Sequence, residues 1–180
     1  MRGYSDIVLR QRAPSSVFSA LSSGFWVGVI LILMAPLGGC GESTPGAEER
    51  ETGVAISPND DRAYALVELA NGLEVMLVSD PTVEKSAAAL SVGLGAAADP
   101  DEYPGMAHYL EHMLFMGSAQ YPDPDGFMAF TAEHGGMSNA YTGLDITNYM
   151  MTVENDAFPE GLDRFSSFFT DPLLDPTYID

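Results

Sequence analysis

Seven Lys and Arg against 26 Asp and Glu give this 180-residue chain a formal net charge of −19. A chain this acidic has no basic patch to meet phosphate, which argues against nucleic acid as a partner. Its one cysteine excludes an internal disulfide and leaves no thiol nucleophile or thiolate cluster elsewhere, while 46% hydrophobic residues suffice for a packed core.

At the N-terminus, Arg2, Arg10 and Arg12 precede an uncharged stretch, residues 13–39. Its densest part, FWVGVILILMAPL at 25–37, is 13 residues long, too short to span a bilayer comfortably. The run ends in LGGC, which resembles a bacterial lipobox. Residues 1–39 are therefore expected to be a lipoprotein signal peptide, with Cys40 the lipidated first residue of the mature chain. An uncleaved membrane helix is the alternative, disfavoured because Ser15, Ser16, Ser19, Ser22 and Ser23 dilute the first half of the run. Either reading exports the remainder. Gly41 after the cysteine resembles lipoproteins sent to the outer membrane of Gram-negative cells, which predicts a domain facing the periplasm and tied to the membrane by its N-terminal lipid.

Residues 40–62 combine Gly, Pro, Ser and acidic side chains without apolar periodicity, as expected for a flexible acidic linker. The folded part is expected over 63–180. YALVEL and LEVMLVSD flank Asn71-Gly72, a dipeptide suited to a two-residue hairpin turn, and predict two antiparallel strands. AALSVGLGA then alternates Ala88, Leu90, Val92 and Leu94 with Ala89, Ser91, Gly93 and Gly95, a strand with one face of very small residues.

HYLEHMLF, residues 108–115, follows the turn DPDEYPG. At helical spacing His108 and His112 stack one turn apart with Glu111 beside them. A solvated stripe normally carries Lys, Arg or several Glu across a wide arc, and here Glu111 is alone among Met, Leu, Tyr and Phe. Burying these three polar groups unpaired costs roughly 2 kcal/mol or more each. A shared metal ion removes that cost. His-x-x-Glu-His is the inverted zinc-peptidase pattern: two imidazole ligands and a glutamate acting as general base.

Gly117 is expected to terminate that helix. A second helix is predicted in DGFMAFTAEHGG, with Asp125 as N-cap and Gly135 or Gly136 as terminator; His134 falls in its last turn and reads as structural. MSNAYTG and ITNYMMTVE read as strands. Phe158, Leu162, Phe165 and Phe169 then form the apolar stripe of a third helix, halted at Asp171-Pro172. The expected class is α+β, an antiparallel sheet with helices packed on one face.

The segments DPDEYPGMAHYLEHMLFMGSAQYP, HGGMSNAYTG, TNYMMTVENDAF and LDRFSSFFTDPLLD together resemble the M16 metallopeptidases, the pitrilysin and insulinase family. The resemblance covers the chain from about residue 64 onward. It implies a zinc cofactor (Zn2+) held by His108 and His112, Glu111 as base, and hydrolysis of oligopeptides. It also implies that peptide adds as a further strand beside SNAYT, with Asn139 and Ala140 contacting its backbone. Phe115 and Tyr141 are similar to residues lining an apolar pocket beside the cut; ordinary core packing is the competing reading for both. In the family a glutamate on a later helix completes the metal site, farther beyond the second histidine than Asp180 lies beyond His112. Glu133, Glu154 and Glu160 do not fall at the matching place. The chain is therefore expected to be the N-terminal part of a catalytic domain, a truncated catalytic half whose C-terminal domains or partner half are missing. The alternative is a non-catalytic lipoprotein fragment that binds peptides or a subunit through the edge strand.

Overall fold

The computed structural model describes residues 6–11, 47–50 and 56–178. Cys40 and most of the expected leader lie outside these residues. Among the described residues, seven strands form one sheet in the order β2-β3-β4-β1-β5-β7-β6. In chain order they are β1 (Asp6–Gln11), β2 (Ala47–Arg50), β3 (Ala63–Leu69), β4 (Glu74–Ser79), β5 (Lys85–Val92), β6 (Met137–Thr142) and β7 (Thr147–Glu154). Among the described residues, three α-helices accompany them: α1 (Met106–Leu114), α2 (Gly126–Glu133) and α3 (Phe158–Thr170).

The hairpin of β3 and β4 pairs Val67 with Val75 and Ala65 with Leu77. Gly72 takes φ 80° in its turn, where a residue with a β-carbon is disfavoured. The Asn71 side chain secures the same turn by accepting from the Leu73 N–H at 3.1 Å. β5 is antiparallel to β7, with Ala88 opposite Met151 and Leu90 opposite Tyr149. β6 closes that end of the sheet, antiparallel to β7.

Every strand pair is antiparallel except β1 with β5, which run parallel. Strand β1 stands between β4 and β5, inside the stretch expected to be a leader, and β2 lies in the stretch expected to be a linker.

One face of the sheet carries the core. Val75, Ala88, Leu90, Tyr149, Met151 and Val153 from the strands pack with Leu114 and Phe115 at the end of α1, Phe127 and Phe130 of α2, and Phe158, Phe165 and Phe168 of α3. Strand alternation explains the split: Ala88 and Leu90 are buried while Ala87, Ala89 and Ser91 are only half-buried. The stripe expected on α3 faces the core, with Phe158 and Phe165 buried and Leu162 and Phe169 partly buried against it, and Phe168 joins it, 4% exposed. Strand β5 ends at Val92, so Leu94, expected to continue the side of Ala88, Leu90 and Val92, lies beyond the strand and is exposed. Among the described residues, no helix is long and apolar enough to cross a membrane.

Candidate metal centre

Helix α1 carries the site, and its start is held by a residue that is not in the helix. Gly105 turns the chain at φ 92°, and the Asp99 carboxylate accepts from the Gly105 N–H at 2.7 Å and from the Ala107 N–H at 2.8 Å. Two of the otherwise unpaired N–H groups of the first turn are thereby satisfied, by a negative charge at the positive end of the helix dipole. The other end turns off at Phe115, with Gly117 at φ 102° two residues on. Ala107, Met113 and Leu114 anchor the helix by burial.

With that face packed, His108 and His112 project outward and are exposed. Their Nε2 atoms are 3.1 Å apart and the rings lie 4.7 Å between centroids. Two nitrogens each about 2.0–2.1 Å from a tetrahedral ion are about 3.3 Å apart, so the observed separation fits a shared zinc. Glu111 completes the group: one ligand-type atom from each residue lies within 4.8 Å of the others. Among the described residues this is the one such group of three His, Cys, Asp or Glu side chains.

Glu111 is 5% exposed, and Thr142 at the end of β6 donates its hydroxyl to Oε2 at 2.8 Å. Behind it, Thr147 donates to the Leu94 carbonyl at 2.9 Å, its oxygen 3.5 Å from that of Thr142. The turn between β6 and β7 is held from the other side, because Ala96 and Ala97 donate their N–H groups to the carbonyls of Gly143 and Leu144 at 2.9 and 2.8 Å. Tyr149 lies close enough to feel the carboxylate. Burial, and secondarily the charge of Glu111, push its phenol well above the ordinary tyrosine range.

The remaining sequence candidates spread around this centre. Asn139 is exposed and Ala140 half-buried on β6, the terminal strand of the sheet. Tyr141 is 50% exposed, and strand alternation points it away from the face that Thr142 shares with Glu111. Phe115 sits in the core, its ring 5.0 Å from that of Phe168 and 6.4 Å from that of Tyr149. His134 stands apart as the residue ending α2, its ring 4.5 Å from that of Phe130.

Sequence reading missed Thr142 and Asp99. Strand parity put Thr142 on the same side as Ala140, which was the available signal. Asp99 precedes its partners by six and eight positions, too far for a local capping pattern.

The family model described as Insulinase (Peptidase family M16) matches residues 74–180, more than half of the chain. The chain belongs to the M16 peptidase family. It is 45% identical over 138 residues to insulin-degrading enzyme of Mus musculus, a match spanning 77% of this chain and 14% of the mouse protein. It is 43% identical over 133 residues to the putative zinc protease mug138 of Schizosaccharomyces pombe, spanning 74% of this chain and 14% of that protein. Among solved structures it is similar to pitrilysin, with a TM-score of 0.69 and 41% identity over 74% of this chain and 14% of the pitrilysin chain. The matched region thus corresponds to about one seventh of the relatives' length. M16 enzymes are zinc metallopeptidases, and the donor set on α1 is of the kind zinc takes.

Proposed function

We propose that this M16 chain carries the catalytic face of a zinc endopeptidase that hydrolyses oligopeptides. The observation that carries this reading is the 3.1 Å approach of the two imidazole Nε2 atoms with Glu111 beside them. Zinc bound at this pair would supply a Lewis acid for the scissile carbonyl and a water acidified toward a pKa of about 7. His108 and His112 would hold the ion through their facing Nε2 atoms. Glu111 takes the proton of the attacking water and delivers it to the leaving amine as the peptide C–N bond breaks. No covalent intermediate with the protein is required.

In this reading the described residues provide two ligands and the base, and a third protein ligand comes from a further segment of a longer catalytic unit. Substrate adds as an extended strand along the free edge of β6, with main-chain contacts at Asn139 and Ala140 and the Tyr141 ring beside a substrate side chain. The test is Glu111→Gln: zinc content retained with hydrolysis of peptides lost supports the reading. Equal hydrolysis by the variant overturns it.

The terminal position of β6 also suits a second reading, a non-catalytic module that binds peptides or a subunit by strand addition. Peptide binding that persists in chelator, with no cleavage by the longest expressed product, would select it.

The lipobox-like LGGC supports export and anchoring at Cys40. Lipid labelling that disappears in Cys40→Ser tests the anchor. Processing there would remove β1 from the mature chain, so N-terminal sequencing of the exported protein decides whether that strand is retained.

A further inference from the structure

The base of this site is held from the strand proposed to receive substrate. We infer that Thr142 is a positioning residue for Glu111, and that the end of β6 sets the direction in which the carboxylate faces. This rests on the peptidase reading above and adds to it a residue outside the group His108, Glu111 and His112.

Each threonine hydroxyl has one proton to give. That of Thr142 goes to Glu111 Oε2 at 2.8 Å and that of Thr147 goes to the Leu94 carbonyl at 2.9 Å, so both are committed. Thr142 is paired with Thr147 across the last register position of β6 and β7, and the Gly143 N–H closes the turn on the Ile146 carbonyl at 2.7 Å. The donor therefore stands on backbone held on both sides, whereas the glutamate side chain has three rotatable bonds. A hydrogen bond to a buried carboxylate is worth more than one in water, and it selects one rotamer. With Oε2 engaged, Oε1 is the oxygen left to accept a proton from water at the histidine pair. Because Asn139 and Ala140 lie on the same strand, the register of a peptide added to β6 is tied to the position of the base.

The test uses the longest natural product carrying this chain, with Thr142→Val, which keeps the shape and removes the donor, and Thr142→Ser, which restores the hydroxyl. The expected result is a kcat about 10- to 100-fold lower in Thr142→Val, with KM and zinc stoichiometry unchanged and most of kcat recovered in Thr142→Ser. In crystals of the metal-free protein, Glu111 is expected in one rotamer in the wild type and in more than one in Thr142→Val.

Unchanged kcat in Thr142→Val with an active wild type overturns the inference and leaves the peptidase reading standing. So does a single unaltered Glu111 rotamer in the metal-free variant. A wild type without chelator-sensitive hydrolysis overturns the peptidase reading, and the rotamer comparison then still decides whether Thr142 positions Glu111.

Discussion

Gly95 lies so close to Gly143 that a β-carbon on it would stand 2.4 Å from the Gly143 carbonyl oxygen and 2.8 Å from the Ile146 nitrogen. Both are backbone atoms, which cannot swing aside as a side chain tip does. This contact seats the β6–β7 turn against the segment leading to α1, and Thr142 adjoins that turn. Gly95→Ala is expected to destabilise the domain by about 1–3 kcal/mol, by overpacking, and to lower kcat in addition. Chemical denaturation and steady-state kinetics measure the two effects; a variant as stable as wild type would contradict the contact.

Asp99 caps α1 from outside the helix. Asp99→Ala removes the acceptor of two N–H groups and is expected to cost about 1–2 kcal/mol, while Asp99→Asn keeps an acceptor oxygen and loses less. Zinc affinity should fall in the same order, because His108 lies one residue beyond Ala107. Unfolding curves together with zinc titration check both parts.

Zinc should stabilise the folded chain by mass action. At free zinc of about 100 times Kd the gain is about 2.7 kcal/mol, read as a rise in Tm that chelator reverses. His108→Ala and His112→Ala are each expected to abolish the rise, and Glu111→Gln to retain it. A zinc-dependent rise of equal size in the histidine variants would place the ion elsewhere.

Phe165 is 1% exposed, with the rings of Phe169 and Phe127 at 5.4 and 6.2 Å. Phe165→Ala leaves a cavity where α2, α3 and the sheet meet, at an expected cost of about 3–5 kcal/mol by equilibrium unfolding. Leu162→Ala, on the half-buried flank of the same helix, should cost clearly less.

Near the start of β3, the Arg62 guanidinium and the Tyr64 hydroxyl hold the Asp60 carboxyl well below the usual carboxylate range. A depressed folded value contributes stability above the unfolded pKa of about 3.9, lost as pH falls through the folded value. Arg62→Gln should move the Asp60 titration upward toward that ordinary value and shift acid unfolding to slightly higher pH. Carbon NMR of the Asp60 carboxyl follows the first; exposure of the pair keeps the second small.

Features set by near neighbours along the chain were legible before any coordinates. Asn71-Gly72 marks its hairpin because only a few residue types tolerate that turn, and His108 and His112 share a face because four residues make about one helical turn. The same locality made the Phe158 and Phe165 stripe and the α+β class readable. Tertiary packing decided what separation in sequence conceals. Strands β4 and β5 follow each other yet are not adjacent in the sheet, and β5 pairs with β7 rather than with the β6 that precedes it. The hydroxyl on Glu111 comes from 31 positions away, and Phe115, for which the sequence left pocket lining and core packing both open, packs against Phe168. Periodicity reports which face a residue occupies; which other face it meets depends on how the apolar surfaces of several elements are buried together, and no single segment carries that information.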